Sequence, residues 1–536
     1  MLQSSFVLLL ILCLGTFSAC KKKEESKKTI INEQKPAAVV AEKPVTAEMD
    51  SVPENANFEV GTPTGYSYYS GYYTGSWSPN WKNTENPVHE RELEELATYN
   101  VNLIIPYSTG LYDHRPELLA DPTYIADHYL RVDRYLEKAN NLGMKVILQV
   151  WNSPHGIEPG PNGLSINSSN YIQSGPTGTI ANLKNLVNRY KNHPAIIGWY
   201  VIDEPILSIE KANNPVQQYT TVTNALAAVT TAIREVDDTN KFIFGVLARY
   251  HDGHTIASLQ GKPAELIVNY LDVWGQDQYP FAKTHTRDLQ NILSLQIGLH
   301  RLEGYNFNLK EVHGKELPFI FVNQAQGFQA PGEGGLGQRL PTIRESIFQK
   351  LYGAMVLTDR RQASYLGDVS WAYYATKRSL SAEEGGWPGI PYKRSGVDWL
   401  SDVYVRVKNV MDHMLPVLKS SIVVKKWRID RTNPSENEYS KDILASLYKV
   451  PEDAILFVDK VIQPHPFRGK YVFLAFNANL QNKNFTFDLS HDGKTTIKNL
   501  SLFEASGQSQ VSIREGIRLD TVLPAVYPLI AVFDVD

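Results

Sequence analysis

Eight strand-like segments recur between residues 68 and 371, with amphipathic, helix-like segments between them. The strand-like segments are rich in β-branched and aromatic residues, and helix-stop signals such as Asn141-Leu142-Gly143 and His193-Pro194 precede some of them. The eight segments are Tyr68–Trp77, Val101–Tyr107, Lys145–Trp151, Ile196–Ile202, Lys241–Ala248, Asp272–Tyr279, Pro318–Gln324 and Ala363–Trp371. Eight such units in sequence predict a (β/α)8 barrel that closes near Leu418. A doubly wound open sheet is disfavoured because no Gly-rich phosphate loop follows the first segment.

Beyond residue 420 the pattern changes to short segments that alternate apolar and polar residues, with no convincing helix among them. The candidate strands are Ile443–Val450, Ala454–Val461, Lys470–Asn477, Asn484–Leu489 and Thr496–Phe503. This spacing predicts a small antiparallel β-sandwich over residues 421–536, after a catalytic barrel over residues 59–420. The sandwich is expected either to cap the barrel or to bind glycan.

The amino terminus has the pattern of an export signal. The apolar run Phe6–Gly15 is about ten residues long, too short to span a bilayer. The small residues before Cys20 resemble the lipidation box of bacterial lipoproteins, which predicts a signal peptide over residues 1–19 and a lipid on Cys20. An ordinary signal with an incidental cysteine is the alternative, since Met1–Ser5 contains no Lys or Arg.

The segment after the predicted lipidation site indicates where the protein is displayed. Lys21–Glu25 looks like the tag that exports certain lipoproteins to the outer face of the outer membrane. Residues 20–58 are rich in Lys, Glu, Ala, Pro and Val, and this composition predicts a flexible tether. The expected location is therefore the outer membrane, facing outward.

Charge and cysteine usage exclude several functions. Lys and Arg number 53 and Asp and Glu 57, so the net charge of −4 gives no general electrostatic reason to bind nucleic acid. Only Cys13 and Cys20 occur, so no disulfide or cysteine-ligated zinc is expected in the folded part. No cofactor motif is present, and we expect neither a cofactor nor a metal.

Two carboxylates follow the fourth predicted strand, in Asp203-Glu204-Pro205. Active sites of (β/α)8 barrels lie at the C-terminal ends of the strands. This motif resembles the clan A glycoside hydrolases, retaining barrel enzymes whose acid/base Glu follows strand four in an Asn-Glu-Pro-like motif. Residues 190–200, 272–280 and 341–354 are similar to segments of such barrels, the last two to β-galactosidase-like and agarase-like ones. The resemblance implies that Glu204 is the general acid and that Asp203 replaces the Asn that contacts the sugar 2-hydroxyl.

Strand seven departs from that family. The resemblance implies a nucleophilic Glu there, whereas the sequence offers Gln324 or Gln326. An amide cannot form the usual glycosyl ester or carry the negative charge that stabilises the transition state. One hypothesis is that Glu204 works with another carboxylate, of which Asp277 is placed best, followed by Asp203 and Asp368.

Two other hypotheses remain open. In one, the substrate supplies its own nucleophile, for instance an acetamido group. In the other, the barrel is a catalytically inactive, surface glycan-binding lipoprotein, which would retain aromatic side chains for binding and tolerate the loss of Glu204.

Aromatic and neutral polar residues at the predicted strand ends favour a carbohydrate ligand, because sugar rings stack on aromatic faces and their edges need neutral donors and acceptors. The predicted substrate-binding residues are Trp77, Tyr107, Trp151, Asn152, Trp274, Gln276, Tyr279, Gln324, Gln326, Asp368 and Trp371. The sequence thus predicts a glycoside hydrolase that acts on a polysaccharide or oligosaccharide at the bacterial cell surface, with Glu204, Asp277 and Asp203 as catalytic candidates.

Overall fold

The fold was analysed in a computed structural model of the chain. The structure describes residues 45–46, 69–74, 93–94, 96–97, 101–106, 121–150, 157–160, 163–166, 179–206, 209, 212–248, 262–278, 309, 312–315, 317–324, 341, 343–359, 365–371, 393–394, 397–398, 405–430, 441–458, 461–477, 482–504, 510–523 and 528–536. The predicted signal peptide and Cys20 lie outside these residues.

Within the described residues, eight parallel strands pair in chain order and close into a barrel, which confirms the predicted (β/α)8 fold. The strands are β1 (Tyr69–Thr74), β2 (Leu103–Pro106), β3 (Lys145–Gln149), β4 (Ile196–Asp203), β5 (Phe242–Ala248), β6 (Val273–Gln278), β7 (Phe319–Gln324) and β8 (Tyr365–Trp371). The last strand pairs with the first, since Asp368 lies opposite Ser70. Every predicted strand therefore exists, and the closure brings all eight C-terminal ends to one rim.

Helices alternate with these strands and cover the outside of the barrel. They are α1 (Pro122–Asn141), α2 (Thr179–Tyr190), α3 (Pro215–Val236), α4 (Lys262–Tyr270), α5 (Ile343–Asp359) and α6 (Val405–Ser420). The longest two begin with a side-chain cap followed by proline: Asp121 accepts a hydrogen bond from the Thr123 backbone, and Asn214 from the Gln217 backbone. No described helix is long and apolar enough to cross a bilayer.

Two apolar layers result from the alternation of side chains along the barrel strands. One side of each strand packs against the helices, as Trp199, Val201 and Phe321 do. The other side fills the barrel interior with a compact apolar cluster. Its members are Leu103, Ile105, Ile147, Ile197, Tyr200, Phe242, Phe244, Val246, Val273, Ile320, Val322, Leu366 and Val369.

The C-terminal region consists of antiparallel sheets, as the sequence predicts. Its strands are β9 (Ile422–Asp430), β10 (Lys441–Lys449), β11 (Ile455–Val458), β12 (Val461–Pro464), β13 (Tyr471–Asn477), β14 (Lys483–Asp488), β15 (Ile497–Glu504), β16 (Gln510–Arg514), β17 (Arg518–Leu523) and β18 (Pro528–Val535). A five-stranded sheet has the order β9-β10-β13-β18-β15, and β14, β17 and β16 form a second sheet. Val45–Thr46, within the predicted tether, pairs in parallel with β14.

The five-stranded sheet buries both of its faces. Ile443 and Phe473 pack towards the second sheet. Phe476, from the opposite face of β13, lies 5.7 Å from the rings of both Phe348 and Tyr352 in α5. The sheet therefore shares an apolar core with the helical layer of the barrel, and this packing supports a capping role.

Candidate active site

Glu204 directly follows β4, and its backbone has an unusual conformation. Its φ is +43°, in the left-handed region that Glu rarely occupies. The Glu204 N–H donates to the Val246 carbonyl of β5 at 2.8 Å, so the sheet still holds this residue where the strand ends. Strained residues of this kind cluster at functional sites, and Glu204 lies at the barrel rim where such sites occur.

A bulge near the end of β4 helps to set this geometry. The register between β4 and β5 shifts between Tyr200 and Ile202, which places Ile202 opposite Gly245. A Cβ atom on Gly245 would lie only 2.8 Å from Ile202 Cγ2, so glycine is what allows this close approach. Bulges re-aim the side chains that follow them, here those of Asp203 and Glu204.

Asp277 approaches the same place from β6. A Cβ atom on Gly275 would lie 2.8 Å from Phe244 Cζ and 3.0 Å from Val246 Cγ2, both in the interior cluster. Asp277 is two residues further along the strand and therefore faces the same way. It is 6% exposed, and its neighbours in register are Ala248 on β5 and Val322 on β7.

The carboxyl groups of Glu204 and Asp203 are close enough to Asp277 to act on it electrostatically. Burial raises the pKa of Asp277 well above its ordinary value, and the neighbouring carboxyl groups of Glu204 and Asp203 raise it further. Asp277 Oδ1 has no hydrogen-bond partner among the described residues. The three predicted catalytic residues thus come together at the C-terminal end of the barrel.

Among the described residues, Gln149 and Tyr200 are polar, lie inside the barrel and were not predicted from the sequence. Gln149, the last residue of β3, is 2% exposed and lies opposite Tyr200 in register. Tyr200 packs in the interior cluster, with its ring 5.4 Å from that of Phe244. The signal for Gln149 was its position two residues after the inward-facing Ile147, at the end of an apolar strand.

The structure corrects the positions of Trp274 and Gln276. Trp274 is 0% exposed and packs in the layer between barrel and helices, with its ring 5.6 Å from that of Phe319. Gln276 is 1% exposed and follows two residues later on the same face. Residues at odd spacing along a strand face opposite sides, so both point away from Asp277 and neither lies at the rim.

Asp368 also departs from the predicted sugar-binding role. Its carboxylate is 0% exposed, and its Oδ2 accepts hydrogen bonds from Lys350 Nζ at 2.5 Å and Asn323 Nδ2 at 2.8 Å. Lys350 belongs to α5, so this carboxylate links β7 and β8 to the helix behind them. We interpret it as a structural ion pair.

The remaining predicted substrate contacts are described only in part. Gln324 and Trp371 are the last residues of β7 and β8 and lie opposite each other in register. The others, Trp77, Tyr107, Trp151, Asn152, Tyr279 and Gln326, lie outside the described residues. Within the part of the chain that is described, no group of three His, Cys, Asp or Glu side chains is arranged to hold a metal ion.

Comparisons with known proteins agree with the fold. Residues 123–269 match the family model "Glycosyl hydrolases family 2, TIM barrel domain". A glycoside hydrolase family 5 structure from Bacteroides vulgatus has a TM-score of 0.50 at 12% identity, covering 87% of this chain and 89% of that one. A family 51 α-L-arabinofuranosidase from Bifidobacterium longum has a TM-score of 0.47 at 12% identity, with 87% and 95% covered. No curated protein matches the sequence.

Fold and comparison together define the class of domain. The chain has a glycoside hydrolase-like (β/α)8 barrel, and the family 2 match spans α1 to α4, including β4 and Glu204. The family 5 structure shares the architecture at low identity, and this similarity concerns the fold alone.

Proposed function

We propose that this protein is a glycoside hydrolase that acts on a polysaccharide or oligosaccharide, with Glu204 as the general acid. The observation that carries the proposal is the position of Glu204 at the C-terminal rim of the barrel, held by the hydrogen bond from its N–H to Val246 and close to the buried Asp277. A general acid must lie within reach of the leaving oxygen, and the C-terminal rim is where a (β/α)8 barrel binds its substrate. The family 2 barrel match supports carbohydrate as the substrate class.

In the proposed reaction, the bond between the anomeric carbon and the glycosidic oxygen breaks. The electron pair leaves with the oxygen, which takes the proton from Glu204. Water supplies the new oxygen at the anomeric carbon and gives up one proton to a base. Protonation of the leaving oxygen by a positioned acid contributes typically 10²–10⁴-fold to the rate.

The reaction also needs a group on the opposite face of the sugar. The carboxyl groups of ordinary glycosidases are about 5–5.5 Å apart when they retain configuration and about 6.5–9.5 Å apart when they invert it. The carboxyl group of Glu204 is close enough to act on the buried Asp277, and strand seven supplies amides in place of the expected Glu. Asp203 or a group of the substrate itself therefore serves this role in our proposal.

The test is a glycan panel digested by the purified protein and by its Glu204→Gln variant, with products followed by mass spectrometry and anomeric NMR. Glu137→Gln, an exposed residue of α1, is the matched control. Product that is formed by the protein and the control and lost in Glu204→Gln supports the proposal. Asp203→Asn then separates the two sources of the opposite-face group, since a substrate-assisted reaction survives that change.

A second candidate function is a non-catalytic glycan-binding protein. The observation that favours it is the presence of Gln324 and Gln326 where the nucleophile is expected. Equal binding of one glycan by the protein and by Glu204→Gln, with no product from any glycan, would establish this function and overturn the first.

We also propose that the protein is a lipoprotein of the outer membrane, displayed outward. Support comes from the apolar run before Cys20 and the segment Lys21–Glu25. Cys20→Ser should abolish incorporation of labelled fatty acid and release the protein from the membrane fraction. Unchanged labelling would refute the anchor, and protection from protease added to whole cells would refute outward display.

A further inference from the structure

We propose that a buried binding site for ordered water lies between α5 and the C-terminal ends of β7 and β8, where the water joins Asn323 to Ser370. The site is on the helix-facing side of the strands, whereas Asp277 faces the barrel interior. It is therefore separate from the candidate active site, and it does not rest on the function proposed above.

Both residues lie on the helix-facing side of their strands. Asn323 comes two residues after Phe321, which packs against the helical layer. Ser370 comes two residues after Asp368, whose carboxylate pairs with Lys350 of α5. Since α5 packs against both strands, the side chains of Asn323 and Ser370 project into one layer between barrel and helix.

Each of the two side chains has a buried polar atom without a partner. Asn323 is 0% exposed and Ser370 is 1% exposed. Within the described part of the chain, neither Asn323 Oδ1 nor Ser370 Oγ makes a hydrogen bond. The Asn323 amide cannot be turned to change this, because its Nδ2 donates at 2.8 Å to Asp368, a carboxylate that only accepts.

The positions of these two atoms suit a bridging molecule. Asn323 and Ser370 are opposite each other in register, so their side chains start about 4.8 Å apart on neighbouring strands. Native proteins rarely leave buried polar atoms unsatisfied, because burial has removed the hydrogen bonds that solvent gave them. One water molecule between the strands would donate to Asn323 Oδ1 and hydrogen-bond to Ser370 Oγ.

The other polar atoms of this layer favour water over a cation. On the helix-facing side of β6, Trp274 Nε1 and Gln276 Oε1 are also buried and have no hydrogen-bond partner among the described residues. An indole N–H can only donate, and the ammonium group of Lys350 already lies beside Asp368, so a cation would meet a donor and a positive charge. Water both donates and accepts, and internal waters make about three hydrogen bonds each.

The site lies directly behind the barrel rim. Asn323 precedes Gln324 and Ser370 precedes Trp371, which are the last residues of β7 and β8. The bound water therefore links the two strands at the point where their backbone ladder ends.

The first test is a crystal structure of the purified protein, at a resolution that shows its other buried waters. The expected result is a density peak within hydrogen-bond distance, about 2.7–3.2 Å, of both Asn323 Oδ1 and Ser370 Oγ. No peak there would overturn the proposal. Because Glu345 of α5 is also buried and acidic, a monovalent cation is the competing ligand. An anomalous peak at this position after a thallium(I) soak would assign the site to a cation and overturn the proposal.

Unfolding in urea gives an independent readout through the sign of the change. If Ser370 Oγ is hydrogen-bonded to water, Ser370→Ala loses that bond and lowers the urea midpoint. If the hydroxyl is unsatisfied, its removal relieves a desolvation cost and leaves the midpoint unchanged or higher. Ser512→Ala, at an exposed position of β16, is the matched control and should unfold at the midpoint of the protein. A midpoint of Ser370→Ala equal to or above that of the control would contradict a bound water.

Discussion

Replacement of Lys350 by methionine tests the role of the buried ion pair behind β7 and β8. The side chains of Lys350 and Asp368 are 6% and 0% exposed, and the Nζ–Oδ2 distance is 2.5 Å. Methionine is similar in length and fills much of the same volume, so the main change is the loss of the cation beside a buried carboxylate. Asn323 still donates to the same oxygen but carries no charge.

The expected cost follows from the burial of both groups. Removing one partner of a buried pair typically costs about 3–5 kcal/mol, because an uncompensated charge stays behind. Replacing both partners in Lys350→Met/Asp368→Leu removes that charge, and such exchanges are often neutral or stabilising. Asn323 then loses an acceptor, at about 1–3 kcal/mol. We therefore expect the double variant to be more stable than the single one.

The assay is urea unfolding of the purified protein and variants. Lys262→Met is the matched control, since the Lys262–Glu265 pair is 36% and 39% exposed and should contribute no more than about 1 kcal/mol. A loss in Lys350→Met no larger than in this control would refute the assignment of a buried structural pair. Altered glycan affinity in Asp368→Asn, with stability unchanged, would restore the sugar-binding role.

Two further predictions concern packing and pH. Gly198→Ala should lower stability by about 1–3 kcal/mol in urea unfolding, because the new Cβ would lie 2.3 Å from Phe242 Cε2. Phe242→Leu should partly restore the stability of this variant. An unchanged urea midpoint in Gly198→Ala would contradict this packing. Burial lowers the pKa of His465, whose Nδ1 accepts from the Phe467 N–H at 3.0 Å and whose Nε2 donates to the His413 carbonyl at 3.0 Å. The contribution of His465 to folding stability is therefore present above about pH 6.5 and is lost as pH falls below it. The stability difference between the protein and His465→Gln should be smaller at pH 5 than at pH 8. The same difference at both pH values would refute this prediction.

The sequence was sufficient to predict the barrel because strand periodicity and helix signals are local. It was also sufficient to place Asp203, Glu204 and Asp277 at strand ends. It was less informative for which side of a strand each residue faces: Trp274 and Gln276 face the helices, although both lie within three residues of Asp277. A shift of one residue along a strand reverses the side that every side chain faces, and the exact ends of strands are hard to predict from sequence.

Contacts between residues far apart in the sequence could not be predicted, for a different reason. Glu204 and Asp277 come close to each other across the intervening β5, and Glu204 has a left-handed φ. The ion pair of Asp368 depends on Lys350, on a helix whose inward face carries polar residues. In the C-terminal region β9, β12, β16, β17 and β18 were missed. Their burial does not follow one rule, since β16 is mostly exposed, β17 buries alternate residues and β18 buries nearly all of them.

The most direct test of the central claim compares leaving groups. Once the glycan panel identifies the sugar that is cleaved, kcat/KM is measured for the protein and for Glu204→Gln on the natural linkage and on an aryl glycoside with a strongly acidic leaving phenol. If Glu204 is the general acid, the variant loses about 10²–10⁴-fold on the natural linkage and much less on the aryl glycoside, whose leaving oxygen needs no proton. An equal loss on both substrates would contradict the assignment.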